Sequence, residues 1–118
     1  MTSSDLAARH CVSCSGKTTP LDRGQIEQLL LQVPGWQLSG DGKRLIRNWR
    51  VLDFVAGLDF FQRIGEVAEQ EDHHPDLHLA NYRDLTVELW THAAGGLTEN
   101  DFIMAAKIDT LEQPLLKG

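Results

Sequence analysis

Apolar and polar positions along this chain follow two periods in turn, and each change of period marks a change of element. From Leu21 to about Leu31 the residues Ile26, Leu29, Leu30 and Val33 recur at helical spacing; Pro20 suits a first turn and Pro34-Gly35 stops the run. Trp36-Gln37-Leu38 then alternates briefly, Ser39-Gly40-Asp41-Gly42 supplies a turn, and Leu45, Arg47, Trp49 and Val51 alternate with polar neighbours. The pattern predicts a β-hairpin. Asp53 to about Gln70 is the longest predicted helix. Asp53 is its cap, Phe54, Leu58, Phe61, Ile64 and Ala68 form its packing stripe, and Val55 and Val67 widen it. Pro75 closes the segment, because the residue before a proline is pushed out of the helical region.

Strand periodicity returns at Leu77 and Leu79, which alternate with Asp76 and His78. After a turn around Asn81 to Asp84, Leu85, Val87 and Leu89 alternate with Thr86, Glu88 and Trp90. Gly95-Gly96 is a break, and Thr98-Glu99-Asn100-Asp101 opens a last helix that offers Phe102, Ala105, Ala106, Ile108 and Leu111 for packing. The order α-β-β-α-β-β-α predicts an α+β fold, a four-stranded antiparallel sheet with three helices packed on one face.

With 118 residues the chain is expected to form one domain, here residues 19–118, preceded by a flexible arm over residues 1–18. Eleven Lys and Arg against 17 Asp and Glu give a formal charge of −6, which argues against a nucleic-acid surface. No apolar run approaches the roughly 18–20 residues of a membrane span, and the first residues lack a secretory pattern, so a cytoplasmic location is expected. The arm carries a lone Cys11-x-x-Cys14. A zinc site wants four ligands and a second such pair is missing, so we read the segment as an arm in preference to a metal or redox element.

The chemistry concentrates in the histidines. His73, His74 and His78 lie close together, and His92 follows the strand that returns beside them. In an antiparallel pair the start of one strand lies by the end of the other, so His73, His74 and His92 should converge at one sheet edge. His78 alternates with Leu77 and Leu79 and is read as a solvated surface residue. A metal site is disfavoured, since Pro75 destroys the helix that would align His74 with His78 and adjacent His73 and His74 cannot easily face one ion. Surface histidines and a metal-free acid/base pocket stay equally open on periodicity alone. Glu69, one helical turn before His73, is placed to hold an imidazole or a substrate amide, whereas Asp101 reads first as the third helical residue of a capping box begun by Thr98.

The run Glu71-Asp72-His73-His74-Pro75-Asp76, with Tyr82, the strand Leu85 to Leu89, Thr91-His92 and Gly96-Leu97-Thr98, resembles the pterin-4a-carbinolamine dehydratases, also called dimerisation cofactors of a homeodomain transcription factor. The likeness extends from about Leu21 to Leu111, including Gly35-Trp36, and that family's fold has the same α+β order. The resemblance implies a hydro-lyase, a 4a-hydroxytetrahydrobiopterin dehydratase. It would eliminate water across C4a and N5 to give quinonoid dihydropterin, recycling the cofactor of an aromatic amino-acid hydroxylase without any metal or redox cofactor. It also implies catalytic His73, His74 and His92, supporting Glu69 and Asp101, and a pterin cradle from His73 to Pro75 and from Thr91 through His92 and Ala93 to Ala94. Asp101 would then both cap the last helix and orient a histidine, while Trp36 remains a core residue. Members commonly form homodimers or homotetramers through the sheet and helices. The alternative carried by the same fold is a non-catalytic protein-interaction or assembly cofactor.

Overall fold

The computed structural model describes residues 6–12 and 18–113. Helix α1 (Arg23–Leu30) precedes strands β1 (Gln37–Leu38) and β2 (Leu45–Arg50). Helix α2 (Phe54–Glu71) then leads to β3 (Asp76–Ala80) and β4 (Asp84–Leu89), and a short 3-10 turn (His92–Ala94) leads to α3 (Glu99–Asp109). The fold class is the expected one, a four-stranded antiparallel sheet with helices on one face. Its spatial order is β1-β2-β4-β3, so the two hairpins join along β2 and β4.

Local chemistry starts and stops the helices. The Asp22 carboxylate accepts from Gln25 N–H while the Gln25 side chain accepts from Asp22 N–H, which closes both halves of a capping box on α1. Asp53 accepts from Ala56 N–H at 2.8 Å and caps α2. The other end of α2 is turned by Asp72, whose φ of 52° lies in the left-handed region. That reversal sends the chain toward β3.

The sheet's inner face carries Leu45, Trp49, Val51, Leu85, Val87 and Leu89, all buried against Phe60, Ile64 and Ala68 of α2 and Phe102, Met104, Ala105 and Ile108 of α3. Trp49 is the hinge of an aromatic chain, edge-on to Trp36 at 5.9 Å and to Phe60 at 5.2 Å. Trp36 is core, as read from the sequence, and its indole N–H donates to Asp109 at 2.9 Å. Burial pushes the Asp109 carboxyl above its ordinary value, although Trp36 and the Arg47 guanidinium at 2.6 Å pull the other way. Gly35 makes room for that guanidinium: a Cβ there would lie 2.8 Å from Arg47 Nη1.

Two expectations need correction. The buried stripe of α2 is Gly57, Phe60, Ile64 and Ala68, whereas Phe54, Val55 and Leu58 are exposed. Gly57 sets this phase, since even a Cβ would come within 3.1 Å of Leu79, so the helix lies against the sheet at the residue with no side chain. The second concerns the arm. Its described part, residues 6–12, is packed: Leu6 is 1% exposed and belongs to the core. Cys14 lies outside the described residues.

Because Phe60 joins the aromatic chain to α2, Phe60→Ala should cost about 3–5 kcal/mol of stability. Urea denaturation checks this, with a lowered midpoint and an unchanged slope expected. A loss below about 1 kcal/mol would show that the site refills by collapse.

Candidate active site

The register of β3 against β4 builds the site. Asp76 pairs with Glu88, so His73 to Pro75 enter the sheet where Trp90 to His92 leave it. Between them lies a cleft of about 460 Å³, within the range of small-ligand pockets. His73, His74, Pro75, Thr91, His92 and Ala93 line it, as expected for the convergence at one sheet edge. Ala94 ends the 3-10 turn and is not among the lining residues. Gly95, at φ 71°, caps that turn, and Thr91 and Gly96 close its base as an isolated bridge.

Two imidazoles are backed by carboxylates. His73 Nε2 lies 2.7 Å from Asp101 Oδ1, with the His73 side chain 11% exposed and that of Asp101 fully buried. An ionised carboxylate only accepts, so Nε2 carries the proton and Nδ1 is left as the ring's acceptor. Asp101 Oδ2 accepts in turn from Thr91 Oγ1–H at 2.8 Å and from Thr98 N–H at 2.9 Å. The same residue therefore caps α3 and holds a histidine. His74 Nε2 donates to Glu69 Oε2 at 2.6 Å, but both side chains are exposed.

His92 has a different support. Its ring contacts Trp90 at 3.8 Å between centroids with the planes tilted by 44°, and the Arg44 guanidinium lies 4.6 Å from the Trp90 ring centroid. Arg44 is itself fixed by Glu88 at 3.0 Å and Asp76 at 3.2 Å. His78 points away from the core and pairs with Glu88 at 3.0 Å, apart from the cleft lining. Sequence reasoning missed five lining residues, Val12, Asp72, Asp76, Trp90 and Asn100. Trp90 had been counted as the end of a strand, and its place beside His92 at that end was the available signal.

Fold and cleft together define a small α+β protein with a histidine-lined site at the edge of an antiparallel sheet. The family model described as pterin 4 alpha carbinolamine dehydratase matches residues 19–111. The chain belongs to that family. An Arabidopsis thaliana protein named pterin-4-alpha-carbinolamine dehydratase 2, mitochondrial, is 52% identical over 111 residues, which cover 92% of this chain and 59% of that protein. The chain thus spans little more than half of that relative. A Halorhodospira halophila protein, named as a candidate dehydratase of the same kind, is 47% identical and matches over 90% of this chain and 96% of its own length. The crystal structure of a transcriptional coactivator/pterin dehydratase from Brucella melitensis superposes with a TM-score of 0.73 at 30% identity, covering 78% of this chain and 97% of that one.

The hydrogen bond to Asp101 fixes the tautomer of His73. In Asp101→Asn the side-chain amide can donate toward Nε2, which should move the His73 proton to Nδ1. Imidazole nitrogen chemical shifts read this directly. An unchanged His73 pattern would show that the carboxylate does not set it.

Proposed function

We propose that this chain is a hydro-lyase that dehydrates 4a-hydroxytetrahydropterins, with tetrahydrobiopterin recycling behind an aromatic amino-acid hydroxylase as its setting. The observation that carries the reading is three imidazoles on one cleft, two of them backed by carboxylates and the third by a contacting indole. In the reaction the C4a–O bond breaks as the hydroxyl takes up a proton. The N5 proton then passes to an imidazole, and the electron pair of the N5–H bond goes into a new C4a=N5 bond. No electron is gained or lost overall, so proton transfer is the whole task and imidazoles suit it near neutrality.

His73 and His74 each give Nε2–H to a carboxylate and keep Nδ1 for exchange with substrate. Each carboxylate holds its ring in orientation through that bond. His92, whose ring rests tilted against Trp90, is the third proton-handling group of the set. Backbone and side chains from His73 to Pro75 and from Thr91 to Ala93 form the cradle of the pterin ring, and Ala94 supports it through the turn. The working compartment we propose is the cytoplasm; no helix among the described residues is long and apolar enough to cross a membrane.

The proposed assembly is a homodimer or homotetramer. Phe54, Val55 and Leu58 of α2, with Leu52 just before them, form an exposed apolar row that another copy would cover. Sedimentation equilibrium should give a mass above the 13.2 kDa of one chain, and Leu58→Glu should return it to one. A wild-type protein that stays monomeric throughout a concentration series would sink the assembly.

Catalysis is tested by generating the carbinolamine with a hydroxylase and following its loss by ultraviolet absorbance. Wild-type protein should accelerate the loss at catalytic concentration. His74→Ala, at an exposed position the fold tolerates, should lose about a hundredfold in kcat. Unchanged turnover in folded His74→Ala would remove His74 from the mechanism.

A further inference from the structure

The motif around Cys11 has no place in the proposed chemistry, yet Val12 beside it lines the cleft. Glu71, the last residue of α2, has a side chain only 5% exposed and gathers the strap formed by residues 6–12. Cys11 N–H donates to Glu71 Oε1 at 2.7 Å and His10 Nδ1–H to Oε2 at 2.9 Å. Lys107 of α3 stands 3.7 Å from the same carboxylate and donates to the Ala7 carbonyl at 2.8 Å. A second anchor is Asn100, 3% exposed, whose amide oxygen accepts from Val12 N–H at 3.0 Å while its NH₂ donates to the Val12 carbonyl at 2.7 Å. Asn100 thus treats Val12 as a neighbouring strand would.

Both anchors sit beside the buried acid/base pair. Glu71 lies two positions before His73, and Asn100 directly precedes Asp101. What they hold in place is Val12, which is 71% exposed and lines the cleft together with histidine and aspartate residues. A fused heterocycle entering such a cleft needs an apolar contact for its uncharged ring surface. We infer that the strap of residues 6–12 holds Val12 as a wall of the substrate site, in which Val12 is a specificity-determining contact and Glu71 and Asn100 are positioning residues.

This rests on the reading of the cleft as a pterin dehydratase site. Burial pushes the Glu71 carboxyl up, but the Cys11 amide, His10 and Lys107 outweigh it and hold the group below its ordinary value of 4.5. The anchor is therefore ionised at neutral pH.

The test compares Val12→Ala, Val12→Ile and Glu71→Gln in the full chain. Val12→Ala should raise KM about three- to tenfold with kcat near wild type, since it removes two methyl groups from the contact. Val12→Ile should keep KM near wild type. Glu71→Gln should raise KM similarly and also speed amide hydrogen exchange at Cys11 and Val12. Wild-type KM in both Val12→Ala and Glu71→Gln, with folded-state circular dichroism intact, would overturn the wall. If wild-type protein shows no turnover, the dehydratase reading fails, and quenching of tryptophan fluorescence by dihydrobiopterin becomes the deciding measurement. Weaker binding by Val12→Ala then upholds the wall; equal binding, or none by wild type, overturns it.

Discussion

A carboxylate with no exposed surface ties this structure together. An ionised Asp101 in the interior costs several kcal/mol unless every lone pair finds a donor. Its donors come from three separate stretches of chain: Thr98 N–H at the start of α3, Thr91 Oγ1–H beyond β4, and His73 Nε2 beyond α2. Thr91 and Thr98 hydroxyls also meet each other at 2.8 Å, which closes the network. The fold cannot satisfy Asp101 without bringing His73 to the cleft. Conversely, the first turn of α3 cannot be capped in this way without the chain that carries His92. Capping and site assembly are one interaction.

That coupling explains what the sequence made legible. Hairpin periodicity and the turn at Asn81 to Asp84 were enough to place His73, His74 and His92 at one edge, because antiparallel pairing follows from alternation alone. Asp101 was readable as a cap from its spacing to Thr98, while its second bond, to His73, spans 28 positions and leaves no periodic trace. Glu69 holds His74, as its position one turn earlier suggested, although the partner turned out to be the exposed histidine.

The misreadings have physical causes too. On α2 two overlapping apolar stripes fit a 3.6-residue period, and Gly57, which hydrophobicity does not register, selects the one containing Phe60. The strap was read as a loose arm because small and polar residues dominate it. Its attachments at Cys11 and Val12 run to Glu71 and Asn100, 60 and 88 positions away, and they use backbone amides that carry no residue-specific signal. Leu6 was the one side chain whose burial composition could have flagged.

The two carboxylate-backed histidines differ in surroundings, and the difference matters for the proposed elimination. Asp101 is shut away from water and His73 is mostly buried, so their charge-assisted bond is weakly screened and its geometry rigid. His74 and Glu69 are both more than half exposed, so solvent screens their attraction and can trade protons with the ring. A dehydration releases one water and returns each group to its starting state, so one partner must keep a fixed orientation while protons pass between site and solvent. The buried pair suits the first duty and the exposed pair the second. The strap then acts on the side where the buried pair lies, since both of its anchors adjoin that pair in sequence. Wall, buried pair and helix cap are thus set by the same short stretches of chain at the ends of α2 and β4 and the start of α3.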